Sequence, residues 1–144
     1  MNKDNFRTPI NIFEKCVDLF EYGIPYLDTC ATNKTQKIPY CKTFISPEYN
    51  ALNTNWYNPY RLAWCNPPHS QNRLFFLKAI EQAKQKITKT IMLLPLNILA
   101  NKYFHENKKY CKVEFLEGRI KFLYENGEVS KHPSRNGYCT ILIK

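Results

Sequence analysis

One run of seven residues combines the types best suited to chemistry in this chain: Trp64-Cys65-Asn66-Pro67-Pro68-His69-Ser70. The Asn66 side-chain oxygen can accept one N–H of a planar amino group, and the Pro67 carbonyl can accept the other. Two consecutive prolines fix φ and lack backbone donors, so the loop decides where its carbonyls point. The Asn-Pro-Pro triplet therefore indicates a site that holds an exocyclic amine for methyl transfer, and an aromatic ring in the next position would stack on the base that carries the amine.

A proline-rich turn between a strand and a helix would use the same residues, so the surrounding pattern must decide between the two interpretations. An apolar stretch at 62–65 precedes the triplet, and a helical pattern begins near Arg73. This is the order of elements that an α/β binding site requires.

Length and composition predict one folded domain, 1–144, with 44% hydrophobic residues and a core of ordinary size. No apolar run approaches the roughly 20 residues needed to span a bilayer, and residues 1–5 lack a signal-peptide core. We therefore expect a cytoplasmic protein, or one inside the host cell if the chain is viral, and no membrane partner.

Charge and cysteine spacing narrow the class of partner. The six cysteines form no Cys-x-x-Cys pair, which predicts buried or half-buried free thiols and no metal site. The net charge of +9 favours nucleic acid, although a lysine-rich composition from an A·T-rich source gives the same charge. The sequence has no GxGxxG or GxxxxGK[ST] motif, which argues against nicotinamide chemistry and nucleotide hydrolysis.

Periodicity and turn residues predict the elements. Thr8-Pro9 is typical of a helix start, and Gly23 can end that helix. We expect further helices at 74–83 and 97–109, a polar loop at 33–39, and strands at 26–30, 43–45, 62–65, 91–94, 113–116, 120–124 and 138–143.

Strands that alternate with helices predict an α/β fold with a mostly parallel sheet and helices on both faces. The Asn126-Gly127 dipeptide favours a hairpin, and the C-terminal hairpin predicts an antiparallel edge. Ligands of such sheets bind beyond the carboxyl ends of the strands. Asp28-Thr29-Cys30, Asn66-Pro67-Pro68 and Leu94-Pro95 all stand at such ends.

Landmarks along most of the chain resemble those of the phage-type DNA N6-adenine methyltransferases (Dam-like). They occur in the family's order and spacing, from Thr8 to about Ser134: Thr8-Pro9; residues 27–32; Phe44, Ser46 and Glu48; Leu52 with Asn55-Trp56; residues 64–68; Leu93-Leu94-Pro95; Phe104-His105; residues 115–122; Pro133-Ser134.

The resemblance implies a compact Rossmann-like methyltransferase that uses S-adenosylmethionine. Residues 27–32 resemble the family's cofactor strand and turn, with the small Cys30 and Ala31 in place of the usual glycines. Asp28 would lie near the amino-acid end of the cofactor, unless it only braces the loop.

Other cofactor contacts are implied in the same way. Thr8 and Pro9 would close over the cofactor, unless they only start the helix. Glu48 would accept from the ribose hydroxyls, with a solvated turn residue as the alternative. Asn55, where the family often carries Asp, would pair with the cofactor adenine, and Asn66 would face the cofactor as well as the substrate.

The catalytic group implied by the resemblance is Asn66, Pro67, Pro68 and His69. Histidine departs from the usual Tyr or Phe, offers less stacking area, and can equally be a surface loop residue. Candidate nucleic-acid contacts are Ser70, Arg73, Lys102, Arg119, Lys121 and Arg135; Arg119 can also brace the site or be a solvated strand-edge residue.

The implied function is site-specific transfer of a methyl group from S-adenosylmethionine to N6 of a flipped DNA adenine. RNA adenine, protein glutamine, or a catalytically weak nucleic-acid-binding subunit are the alternatives. The chain leaves little room for a separate target-recognition domain, so the polar basic segments 97–112 and 125–135 would read a short site, in a monomer or a homodimer.

Overall fold

The computed structural model describes residues 4, 6–31 and 40–144. Three α-helices lie in these ranges: α1 Ile10–Phe20, α2 Asn72–Lys84 and the single-turn α3 Lys102–His105. Short 3₁₀ turns connect several elements, including His69–Gln71 ahead of α2. Thr32 and the loop predicted at 33–39 lie outside the described residues.

The described strands form one six-stranded mixed sheet. Their bounds are β1 Leu27–Asp28, β2 Thr43–Phe44, β3 Leu62–Cys65, β4 Lys89–Pro95, β5 Cys111–Phe115 and β6 Tyr138–Ile143. The strand order is β2-β1-β3-β4-β6-β5, and the pairs β2–β1, β1–β3 and β3–β4 are parallel. The chain passes from β1 to β2 on one side and then to β3 on the other, so the carboxyl ends of β1 and β3 flank the crevice where such sheets bind ligands.

Helices pack on both faces of this sheet, as predicted. On one face, Phe13 and Val17 of α1 pack against Trp64 of β3 and Leu93 of β4. On the other face, Phe76 of α2 belongs to the cluster that buries the alternate strand residues. Because successive strand side chains point to opposite faces, the all-apolar β3 and β4 are buried on both sides.

The C-terminal hairpin is antiparallel, as expected, but its last strand is not at the edge. β6 pairs with both β4 and β5 and is antiparallel to each. All six residues of β6 are buried, whereas β5 forms the outer strand with partly exposed side chains. The uninterrupted apolar run at 138–143 is typical of such an internal strand.

Four predicted elements differ from the structure. Residues 120–124 form no strand beyond isolated bridges at Leu123; their alternation arises because Ile120 and Phe122 anchor a connection to the core. The predicted helix at 97–109 is broken into short turns because the backbone is extended at Asn101, with φ −81 and ψ 148. The strand predicted at 26–30 shortens to the two-residue β1, because the chain turns at Thr29. The strand predicted at 43–45 shortens to the two-residue β2.

Among the described residues, no helix has both the length and the apolar character required to cross a bilayer.

A stack of aromatic rings connects α1 to the strand that carries the Asn-Pro-Pro triplet. The Phe13 and Trp64 rings lie 4.8 Å apart at an interplanar angle of 12°, and Tyr40 meets Phe13 edge-on at 5.0 Å. Phe13 is buried, at 2% exposure. This contact holds α1 and β3 in a fixed relation just before the triplet.

We expect Phe13→Ala to lower the free energy of unfolding by about 3–5 kcal/mol, because it removes a buried ring and leaves a cavity against Trp64. Chemical denaturation measures the change. Ile10→Ala, on the same helix but 45% exposed, is the control and should stay within about 0.5 kcal/mol of the parent. Equal losses in the two variants would contradict the assignment of Phe13 to the core.

Candidate functional site

Asn66 follows β3 directly and is half-buried. Its Nδ2 donates a hydrogen bond to Thr8 Oγ1 at 2.8 Å. Within the part of the chain that is described, no group donates to Asn66 Oδ1. Because an amide has one donor end and one acceptor end, this bond leaves the acceptor end available for a ligand.

Thr8 is held from two sides before any ligand is considered. Its carbonyl accepts from the Tyr40 hydroxyl at 2.8 Å. The preceding residue, Arg7, exchanges two backbone hydrogen bonds with Leu123, at 2.8 and 2.9 Å. Thr8 itself is buried, so its hydroxyl meets Asn66 from a fixed position.

The loop after Asn66 turns sharply into α2. Pro68 has φ −52 and ψ 132, and its carbonyl accepts from Gln71 N at 2.8 Å. Pro67 is buried, and none of the described groups donates to its carbonyl. The Asn66 Oδ1 and the Pro67 carbonyl are therefore two acceptors on consecutive residues, and neither has a donor among the described residues.

Two cavities share Asn66 as a lining residue. The larger one, of about 640 Å³, extends from the β3–α2 loop to the β5–β6 connection. Its lining includes Pro67 and His69 from the loop and His132 and Arg135 from the connection. None of its described lining residues is acidic, so this cavity suits a neutral or anionic ligand.

The smaller cavity, of about 50 Å³, lies at the carboxyl ends of β1 and β3. Its lining contains both an acidic and a basic residue, Asp28 and Arg7. The other lining residues are Phe6, Thr8, Cys30, Ala31, Tyr40, Trp64 and Asn66. Cys30 and Ala31 are the small residues predicted in place of glycines. The structure therefore brings together five of the residues predicted to bind the cofactor: Thr8, Asp28, Cys30, Ala31 and Asn66.

Asp28 places a carboxyl group with a raised pKa in the smaller cavity. Its Oδ1 accepts from Cys30 N at 3.0 Å. Burial raises the pKa of the Asp28 carboxyl to about 6, although this hydrogen bond acts in the opposite direction. Because burial disfavours the charged form of this carboxyl, a cationic group bound beside it would stabilise the carboxylate.

The predicted cofactor residues Glu48, Asn55 and Pro9 lie outside the linings of both cavities. Glu48 is exposed on the 3₁₀ turn Pro47–Tyr49 beyond β2. Asn55 Oδ1 accepts from Tyr57 N at 2.8 Å in a local turn. Pro9 is the residue just before α1. Their roles toward a cofactor stay predictions.

The predicted nucleic-acid contacts are exposed, and of the six only Arg135 lines either cavity. Arg135 lines the larger cavity, and Lys102 lies 3.6 Å from Glu106 on α3. Ser70 is engaged by Asp4, which accepts from both the Ser70 amide and its hydroxyl, at 2.8 and 2.6 Å. The exposed side chains Arg73, Arg119 and Lys121 line neither cavity.

All six cysteines are free and buried or half-buried, as predicted. Cys30 and Cys65 are in contact, with their Sγ atoms 3.6 Å apart, and burial raises the pKa of the Cys30 thiol well above its usual value. The described ranges contain no group of three or more His, Cys, Asp or Glu side chains that could hold a metal ion.

Sequence reasoning missed several residues that line the cavities. Phe6, Tyr40 and Tyr124 were not singled out, because an aromatic residue in a loop carries no periodic signal. The Pro133-Ser134 landmark did mark the segment that faces the Asn-Pro-Pro loop across the larger cavity. Its function as a wall follows only from the fold.

The sequence of this chain is similar to those of known proteins. The chain matches the family described as DNA N-6-adenine-methyltransferase (Dam) over residues 1–144. It is 31% identical over 144 residues to the DNA N-6-adenine-methyltransferase of Haemophilus phage HP1 (strain HP1c1), covering 99% of this chain and 78% of that protein. It is 36% identical over 137 residues to the protein of the same name from Escherichia phage T1, covering 85% of this chain and 55% of that protein.

No solved structure matches the chain, so the family assignment rests on sequence. Because the family match spans the whole sequence and the phage HP1 relative is similar over nearly all of it, the chain belongs to the DNA N-6-adenine-methyltransferase (Dam) family.

Proposed function

We propose that this protein transfers a methyl group from S-adenosylmethionine to N6 of an adenine that is flipped out of DNA. One observation carries the proposal: Asn66 stands where the two cavities meet, with its amide nitrogen bound to Thr8 and its oxygen available. The family assignment favours DNA over the RNA and protein substrates that an Asn-Pro-Pro site can also serve.

The smaller cavity fits the amino-acid end of the methyl donor. Asp28 offers a carboxylate to an ammonium group, Arg7 lines the same cavity, and the side chains of Cys30 and Ala31 there are small. When bound, S-adenosylmethionine supplies an electrophilic methyl group on a sulfonium centre. We include in the proposal that β1 and β3 form a Rossmann-like cofactor edge, with Thr8 and Asn66 beside it.

The acceptor side of the reaction depends on Asn66 and Pro67. Adenine N6 is a poor nucleophile because its lone pair is delocalised into the ring. Asn66 Oδ1 and the Pro67 carbonyl would each accept a hydrogen bond from one of the two N6–H groups. These bonds favour a tetrahedral nitrogen, whose lone pair is then free to attack the methyl group. Since these acceptors are already oriented, positioning supplies much of the rate acceleration.

The larger cavity would receive the flipped base. Its volume of about 640 Å³ lies within the range of ligand sites, and removal of a base from the duplex costs a few kcal/mol. His132 and Arg135 line the same cavity, where they would meet the phosphates on either side of the base. The net charge of +9 adds affinity through counterion release.

Target reading without a separate recognition domain is part of the proposal. The connection 116–137 between β5 and β6 lines the larger cavity with Ser130, His132, Ser134 and Arg135. This connection would contact the bases around the flipped adenine in a single-domain enzyme, acting as a monomer or a homodimer inside the host cell.

The first test of this function is methyl transfer from labelled S-adenosylmethionine to unmethylated DNA, followed by nucleoside analysis. We expect label in N6-methyladenine with the parent protein. Asn66→Ala should lower the rate by at least about 100-fold, the effect of removing one preorganised contact to a transition state, while calorimetry shows cofactor binding retained.

Asn53→Ala, an exposed asparagine without a side-chain hydrogen bond, is the matched control and should keep full activity. Absence of label with the parent protein would refute the function itself. Loss of cofactor binding in Asn66→Ala would instead assign Asn66 to the cofactor site alone.

A second prediction concerns Thr8 as a positioning residue. Thr8→Val removes the acceptor for Asn66 Nδ2, so the amide can rotate and present its nitrogen to the base. We expect kcat to fall about tenfold, the value of one hydrogen bond, with little change in KM for DNA. Thr8→Ser keeps the hydroxyl and should restore most of the activity; equally impaired Val and Ser variants would contradict this role.

A third prediction follows from the raised pKa of Asp28. Below a pH of about 6 the carboxyl is mostly protonated and cannot pair with an ammonium group; above it, the carboxylate forms. Calorimetry should therefore show cofactor affinity rising about tenfold from about pH 5 to about pH 7, a range in which an α-ammonium stays mostly charged. Asp28→Asn should bind weakly with a flat pH profile, and an unchanged profile would exclude Asp28 as the titrating group.

A further inference from the structure

Four aromatic rings line the larger cavity: Phe6, Phe122, Tyr124 and Tyr138. The Phe6 ring lies 6.0 Å from both the Phe122 and the Tyr124 rings, and Phe122 meets Tyr138 at 5.2 Å. Phe122 and Tyr138 are buried, whereas Phe6 and Tyr124 are half-buried. Phe6 and Tyr124, called here the aromatic pair, are therefore the rings with surface left for a ligand.

The aromatic pair is close to the chemistry. Phe6 lines both the smaller and the larger cavity, as Asn66 does, whereas Tyr124 lines only the larger one. The two rings thus extend from the junction at Asn66 into the space that would hold the base.

Backbone hydrogen bonds hold the two rings together. Arg7, next to Phe6, exchanges two bonds with Leu123, next to Tyr124. Tyr124 is also closed into a tight turn, because its N–H donates to Glu128 O at 2.8 Å and its carbonyl accepts from Gly127 N at 2.9 Å. The pair is therefore organised without a ligand, which reduces the entropic cost of binding a flat ring.

A flipped base needs a new stacking surface because it leaves its neighbours in the duplex. The residue after Asn-Pro-Pro is His69, which is exposed and offers a smaller ring than Tyr or Phe. Stacking on an aromatic side chain is worth more than a tenfold change in affinity for many bases. The aromatic pair has the ring area that His69 lacks.

We propose that Phe6 and Tyr124 form the main aromatic contact for the flipped adenine, with His69 in a secondary role. Because the two rings are inclined by 55° to each other, one would stack on the face of the base and the other would meet its edge. The proposal rests on the proposed function, since it concerns the base that this site methylates. It assigns substrate binding to two residues from segments far apart in sequence, the one before α1 and the β5–β6 connection.

The test compares four variants with the parent: Phe6→Leu, Tyr124→Leu, Tyr124→Phe and Tyr57→Leu. The leucine variants keep apolar volume but remove the aromatic face, whereas Tyr124→Phe keeps the ring and loses only the weak acceptance from Lys131 N at 3.4 Å. Tyr57 is 62% exposed and lines neither cavity, so Tyr57→Leu is the matched control.

We expect Phe6→Leu and Tyr124→Leu to lower kcat/KM for DNA by roughly 5- to 100-fold, with cofactor affinity unchanged for Tyr124→Leu. Tyr124→Phe, which keeps the ring, should lose less kcat/KM than Tyr124→Leu, and Tyr57→Leu should behave like the parent. A DNA duplex with 2-aminopurine at the adenine that the parent methylates gives a second readout. Its fluorescence, quenched by stacking when the base is bound, should be less quenched by Tyr124→Leu than by Tyr124→Phe.

The outcomes separate this inference from the function on which it rests. If the parent methylates DNA but folded Tyr124→Leu retains its kcat/KM and its quenching, the stacking role is overturned. If the parent does not methylate DNA, the proposed function fails first. Thermal denaturation checks folding, and if Phe6→Leu does not fold, the comparison of Tyr124→Leu with Tyr124→Phe decides by itself.

Discussion

The hydrogen bond from Asn66 Nδ2 to Thr8 Oγ1 is the contact on which the site depends. It joins the end of a central strand to the segment before the first helix, across 58 positions of sequence. A free amide presents either end to a ligand, whereas this one has its donor end occupied. The rest of the fold can be understood as support for this contact: Tyr40 holds Thr8, and the Phe13 ring on Trp64 holds α1 against β3.

The two cavities differ in the charged residues that line them. The smaller one is lined by the Asp28 carboxylate, whose charge is disfavoured by burial, and by Arg7; the larger one contains histidine and arginine side chains without an acidic residue among its described lining. This difference matches the proposed ligands: an amino-acid end with both an ammonium and a carboxylate group on one side, and a base with its phosphates on the other. Asn66 faces both, so one side chain can orient the acceptor nitrogen toward the donor.

The connection between β5 and β6 joins the core to the larger cavity. It is anchored by Ile120 and Phe122 in the core and by Leu123 on Arg7. The same segment then forms a wall of the larger cavity. Binding of DNA to this wall would act on the position of Thr8 through only one residue, which gives the proposed substrate surface a direct connection to the proposed catalytic amide.

Much of this could be predicted from local pattern. The strand at 62–65, the Asn-Pro-Pro triplet after it, the buried free thiols and the helices on both faces follow from apolar runs, proline and spacing, because these features act over a few residues. The family landmarks added the reaction, which the comparisons support. The prediction of a strand at 120–124 was wrong. The apolar residues alternate there because Ile120 and Phe122 pack into the core, and not because the segment pairs in the sheet.

By itself, then, the sequence determined which residues stand at the carboxyl ends of the strands and what chemistry their side chains can do. Only the tertiary structure decided that Thr8 orients Asn66, that Asp28 is buried enough to raise its pKa, and that Phe6 and Tyr124 share a cavity with the triplet. It also placed β6 between β4 and β5. The physical reason is that hydrogen bonds and burial between distant segments depend on how the chain packs. The periodicity of one segment does not identify the other segment against which it packs.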